Sequence, residues 1–256
     1  MFFQEILNLL RDNKRFPNYA AERRIDIFIN LFLEKILSAY YGEKVIFVVP
    51  EFPLKKNETN NQTDKLDYLC AFEETKQPIF VELKTDVISF NINQAKFYCD
   101  QAKHWPTCVE ALQKIIVTRM PFSYRKKYFQ LIKRLLEMGI FVGKSTEPSL
   151  TRLEELSKSI DTTSEGRGEL HQGMKKANFS RGLIKLVECI KARWNNEAKL
   201  LYLTPHDDKL KNRIELLFSK SISLLDFKEI ASFPVISTNK YAKEFRQLSE
   251  FLKSLE

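Results

Sequence analysis

Residues 80–86 read FVELKTD, which puts Glu82 and Lys84 two apart inside an apolar run. Side chains alternate along a strand, so Glu82 and Lys84 share one face while Val81 and Leu83 share the other, buried one. Fifteen residues before Glu82, Asp67 stands in LDYLCAF, with Leu66 and Tyr68 on the opposite face. If the two segments pair through the turn EETKQP, Asp67 and Glu82 fall side by side. Two carboxylates that close repel each other unless a proton or a cation lies between them. Oxygen-only ligands at such a pair suit Mg2+ or Mn2+. Such a cation lowers the pKa of water and neutralises a phosphate. A neighbouring lysine can hold the attacking water or steady charge on the phosphate. These are the parts needed for phosphodiester hydrolysis. The plainer reading is a half-exposed strand with a salt bridge on its solvent face.

The elements that must position these residues can be read from the hydrophobic pattern. Helices are expected at 2–13 and 20–41. In the second, Ile25, Ile29, Leu33, Ile36, Leu37 and Tyr40 form one stripe, and Gly42 ends it. Strands are expected at 45–54, 66–72 and 79–84, joined closely enough to form an antiparallel meander. A helix then starts near Asn91, a suitable cap. From Pro106 to Met138 the chain reads as helical and basic. Residues 144–173 read as a loop around a short helix at 151–160, and 175–194 as another basic helix. Strand 199–204, a helix over DDKLKNRIELLFSK, strand SLLDF and a helix from about Asn239 complete the chain. The expected class is α/β with a mixed central sheet flanked by helices.

Composition narrows the function classes. The chain has 256 residues, 44% of them hydrophobic and 29% charged, enough for a full core. It has no apolar run of about 18 residues, so no membrane span is expected. The first residues lack a basic stretch and a cleavage site, so no signal peptide is expected either. Four cysteines form no CxxC pair and three histidines show no ligand spacing. A reducing, cytoplasmic location is expected. Only seven glycines are present, and no nucleotide-binding glycine motif.

The motif set resembles the PD-(D/E)xK nuclease superfamily: Asp67, then Glu82-x-Lys84 after a short hairpin, behind a helix and a strand. Gln94-Ala-Lys-Phe-Tyr98 resembles the QxxxY motif of its RecB-like branch, and residues four apart share a helix face. The resemblance covers roughly residues 20–100, with the later strands as a general fit. It implies a restriction-endonuclease-like core at 1–104 and 195–256, with a helical insertion at 105–194. It further implies Mg2+ or Mn2+ held by Asp67, Glu82 and the Leu83 carbonyl. Lys84 would position or activate water, and Gln94 and Tyr98 would orient the substrate or Lys84. Glu51 and Glu22 are candidate further ligands: one ends the first strand, and the other lies in phase with the helix stripe. Two departures stand out. Leu66 occupies the usual proline position before the Asp, and the iron–sulfur cysteines of some RecB-like members are absent.

The net charge of +8 is not spread evenly. Residues 105–194 hold 17 Lys/Arg against 9 Asp/Glu, while the rest of the chain holds 24 of each. A basic region beside a balanced body suggests a polyanion partner, most often nucleic acid, and the nuclease resemblance implies DNA more than RNA. The candidate contacts are Arg125, Lys126, Lys127, Lys175, Lys176 and Arg181. Tyr124, Tyr128, Phe179 and Trp194 interleave with them, as in proteins that stack single-stranded bases. The plainer reading puts these aromatics in a helix core. The expected activity is that of a metal-dependent nuclease, with a separate partner such as an ATPase or another subunit of a defence or repair system. The rival is a nucleic-acid-binding or assembly subunit that keeps the nuclease fold without cleavage.

Overall fold

The computed structural model describes residues 6–7, 22–56, 63–118, 122–143, 156, 169–219, 221–233 and 242–253; at 22–24, 169–172 and 174–175 only the backbone is described. The expected helices at 2–13 and 151–160 therefore lie outside the described residues, apart from Ile6, Leu7 and Leu156.

Helix α1 (Glu22–Tyr41) leads into β1 (Val45–Lys55), β2 (Thr63–Phe72) and β3 (Pro78–Leu83). Gly42, at φ +66°, makes the left-handed turn that ends α1. β1, β2 and β3 pair antiparallel. β6 (Lys199–Thr204) adds to β3 in parallel, and β7 (Ser223–Asp226) adds to β6 in parallel. The sheet order is β1-β2-β3-β6-β7. The expected mixed sheet flanked by helices is what the chain forms, with strand bounds within a few residues of those read from the pattern.

Helices cover both faces. α1, α7 (Phe227–Ser232) and α8 (Ala242–Lys253) bury one face through Ile25, Ile29, Leu33, Phe245 and Leu248, against Tyr68, Val81, Leu83 and Leu203. On the other face lie α2 (Ile92–Lys103), α3 (Trp105–Val117), α4 (Phe122–Glu137) and α5 (Glu169–Glu188). α6 (Asp208–Phe218), between β6 and β7, contributes Leu210 and Ile214 to this second layer. Trp105 is fully buried at its centre, with its ring 5.9 Å from those of Phe52 and Phe80 and 6.3 Å from that of Phe141.

In space the 105–194 segment is thus part of the sheet's own cover. Arg134 of α4 fixes the attachment. A bulge between Phe47 and Val49 disturbs the β1 ladder, and the Arg134 guanidinium donates to the carbonyls of Val48 at 3.0 Å and Phe47 at 3.3 Å. The stretch expected to be helical from Pro106 to Met138 forms α3 and α4. The sequence pattern did not show the two-stranded ribbon of β4 (Phe141–Gly143) and β5 (Ile190–Ala192), which ties the end of α4 to the end of α5.

With both faces covered, β3 is buried along its whole length. The plainer reading of a half-exposed strand with a solvent face is therefore not what forms: Glu82 and Lys84 are 2% and 6% exposed.

Candidate active site

The β2–β3 ladder pairs Tyr68 with Val81 and stops there. One step further, the register sets Asp67 opposite Glu82, as the hairpin spacing suggests. At that step a side chain replaces the backbone rung: the Leu83 N–H donates to Asp67 Oδ2 at 2.7 Å. Asp67 and Glu82 thus stand side by side at the end of the ladder. Lys84 Nζ donates to Glu82 Oε1 at 2.6 Å, a pair whose side chains are only 7% and 3% exposed. Burying two charges is costly unless they are paired this closely.

Burial pushes the Asp67 carboxyl above the usual carboxylate range. The Leu83 N–H, the Lys84 ammonium and the Glu82 side chain pull it back, and Asp26 pushes it up again.

These groups line a cavity of about 270 Å3 together with Asp26, Pro50, Glu51, Lys65, Tyr68, Leu83 and Gln94. Its wall carries the carboxyls of Asp26, Glu51, Asp67 and Glu82 against the ammonium groups of Lys65 and Lys84. That excess of acid attracts a cation and would repel a bare phosphate.

Gln94 enters from α2, whose first turn is fixed by the Asn91 side chain accepting from the Asn93 and Gln94 N–H groups. Gln94 Nε2 donates to the Tyr98 hydroxyl at 3.0 Å, and that hydroxyl donates to the Lys65 carbonyl at 3.0 Å. Tyr98 itself is fully buried. Its role in this arrangement is to lock Gln94 and β2 together beneath the cavity. Burial, then the nearby charges of Glu82 and Asp64, hold its phenol far above the ordinary value, so it stays a neutral donor.

The other candidate ligands divide. Glu51 lines the cavity, and the β1–β2 register sets it opposite Asp67. However, it sits at φ +47° and pairs with Lys65 at 2.7 Å on the exposed side. The Glu22 side chain lies outside the described residues. Among the described residues, α1 brings Asp26 to the cavity, one helical turn after Glu22 and a residue the sequence reading missed. The signal was present as i,i+4 spacing on the same helix. Its placement depends on the Tyr68 hydroxyl donating to the Asp26 carbonyl at 3.0 Å, which anchors this turn to β2.

The basic candidates gather where α4 meets α5. Lys126 and Lys176 both lie over the Phe122 ring, at 5.3 and 5.9 Å, and Lys127 lies 5.7 Å over the Tyr124 ring. Tyr124 is 56% exposed, so its ring is accessible for stacking. Arg125 is half-buried and Arg181 exposed, while the Lys175 side chain lies outside the described residues. Phe179 is not a stacking surface: it is buried against Phe122 and Phe129. Tyr128 and Trp194 also pack against the core.

No helix among the described residues is long and apolar enough to cross a membrane. Comparison with protein-family models, with curated proteins and with solved structures finds no match.

Proposed function

We propose that this chain is a Mg2+- or Mn2+-dependent nuclease that hydrolyses phosphodiester bonds in DNA, with a restriction-endonuclease-like core of the RecB-like kind. The observation that carries the reading is the convergence of Asp67, Glu82 and Lys84 in one acidic cavity, through the 2.7 Å Leu83–Asp67 and 2.6 Å Lys84–Glu82 contacts.

The donors fit the cation. Mg2+ binds through one or two carboxylates plus waters and substrate phosphate rather than through a full protein cage. Asp67 and Glu82, two carboxyls side by side at one cavity, agree with that mode. Asp67 and Glu82 would hold the cation, with the Leu83 carbonyl and Glu51 at the same cavity. When bound, the cation supplies charge neutralisation at the scissile phosphate and a lowered pKa for water. Lys84 holds the attacking water or the phosphate oxygen. Gln94, fixed by Tyr98, orients the substrate backbone. Lys126, Lys127 and Lys176, with Lys175 and Arg181 on the same helix α5, track further phosphates beside the exposed Tyr124 ring. The chain would work in the cytoplasm with a partner such as an ATPase or another defence or repair subunit.

An oligonucleotide cleavage assay with Mg2+ tests the reading: Lys84→Ala should lose activity, and a variant that cuts as fast as wild type sinks the assignment. One observation favours the rival reading of a binding or assembly subunit. The Glu82–Lys84 pair is closed and buried, the geometry of a structural salt bridge. Protein that binds DNA with steep salt dependence yet never cleaves under any divalent metal would support that rival.

A further inference from the structure

Two hydroxyls on β6 have no use in the arrangement above. Tyr202 is fully buried and Thr204 is 3% exposed, and neither Tyr202 Oη nor Thr204 Oγ1 has a hydrogen-bond partner among the described residues. Native proteins seldom leave one such group buried, and here two stand two residues apart on one strand.

Their register relates them to the site. Tyr202 pairs directly with Glu82 in the parallel β3–β6 ladder, and Leu203 with Leu83. The Lys84 N–H then donates to the Leu203 carbonyl at 2.8 Å, which brings Thr204 alongside Lys84. Period-two alternation puts both hydroxyl side chains on the face that carries Glu82 and Lys84. Burial, and next the charge of Glu82, hold the Tyr202 phenol far above its ordinary value, so it remains a neutral donor beside that carboxylate.

We propose that Tyr202 and Thr204 are positioning residues for Glu82 and Lys84, the partners these two take up when a divalent cation binds between Asp67 and Glu82. This rests on the metal-dependent reading. The Lys84 ammonium, 2.6 Å from Glu82 Oε1, would be released by that carboxylate if Glu82 held a cation. Lys84 then leaves Glu82 Oε1 for the Thr204 hydroxyl oxygen, which accepts from it. Tyr202 donates to the Glu82 carboxylate and fixes its orientation. The two buried hydroxyls thus stand beside the two charged groups whose arrangement they would set.

The test is calorimetric titration of the full chain with Mn2+ alone, on wild type, Tyr202→Phe, Thr204→Val and Thr204→Ser, with the melting temperature of each metal-free protein. The expected result is a metal-free melting temperature unchanged or raised in Tyr202→Phe and Thr204→Val. Their Mn2+ affinity should be weaker by about tenfold, the usual scale for groups that orient metal ligands, with Thr204→Ser close to wild type. Wild-type Mn2+ affinity in both Tyr202→Phe and Thr204→Val would overturn the proposal. So would a lowered metal-free melting temperature, which would mean that the hydroxyls are already bonded. An Asp67→Asn control separates the two levels. If wild type binds Mn2+ and Asp67→Asn does not, a failure falls on the hydroxyls alone. If wild type binds no Mn2+, the metal-dependent reading falls too, and this inference with it.

Discussion

The Lys84 ammonium lies 2.6 Å from Glu82 Oε1, and both side chains are buried. Two residues apart on one strand face, they neutralise each other inside a layer that would otherwise be apolar. Removing one partner leaves the other as an uncompensated buried charge, so Lys84→Met should destabilise the chain by about 3–5 kcal/mol. The double variant Glu82→Gln/Lys84→Met should recover most of that loss. Urea midpoints of the single and double variants check this. A Lys84→Met protein as stable as wild type would mean that the pair is not closed in solution.

The Tyr98 hydroxyl donates to the Lys65 carbonyl and accepts from Gln94. Tyr98→Phe removes both bonds inside a buried layer, at a cost of about 1–3 kcal/mol. Gln94→Ala leaves the bond to Lys65 in place and should cost less. The contrast separates the positioning role of Tyr98 from the proposed substrate role of Gln94. Gln94→Ala should weaken DNA cleavage more than stability, as cleavage rates and denaturation midpoints of both variants would show.

His206, just past β6, bonds through Nδ1 to Asp226 Oδ2 at 2.7 Å and ties the β6–α6 loop to the start of α7. That bond and the Asp226 charge raise the His206 pKa, Asp208 adds to the rise, and burial and Lys228 oppose it. A raised histidine stabilises the fold fully below its unfolded value near 6.5, and the gain is lost as pH rises through the folded value. Stability should therefore decline with pH above 6.5 in wild type, and less steeply in His206→Gln. Parallel slopes in the two proteins would show that the bond does not form.

Three lysines meet at Phe122 and Tyr124. If they track single-stranded DNA, the triple variant Lys126→Ala/Lys127→Ala/Lys176→Ala should flatten the log K against log salt line by about 0.7 per lost phosphate contact. Fluorescence anisotropy over a salt series measures this. An unchanged slope would make the cluster a solvated face.

Much of this arrangement is legible in the sequence where spacing is local. The period-two strands and the short EETKQP turn suffice to bring Asp67 opposite Glu82. Asn91 and the four-residue Gln94–Tyr98 interval likewise suffice to put those two on one helix face. What the sequence hides depends on contacts between distant segments. A half-exposed face at Glu82 and Lys84 stays open as a reading because nothing nearby in the sequence shows that both sheet faces are covered. Asp26 is not evident in the sequence, since its place at the cavity depends on how α1 is rotated against β2, which the Tyr68–Asp26 bond reflects. Phe179 reads as an aromatic among cations until Phe122 and Phe129 close over it. The three-residue strands of the β4–β5 ribbon are too short to show a period.

A crystal of the full chain soaked in Mn2+ tests the central claim most directly. The account predicts one anomalous peak within about 2.2 Å of oxygens from both Asp67 and Glu82, with the Lys84 ammonium displaced from Glu82 Oε1. A soaked crystal with no ion at that cavity and Lys84 still on Glu82 would contradict it.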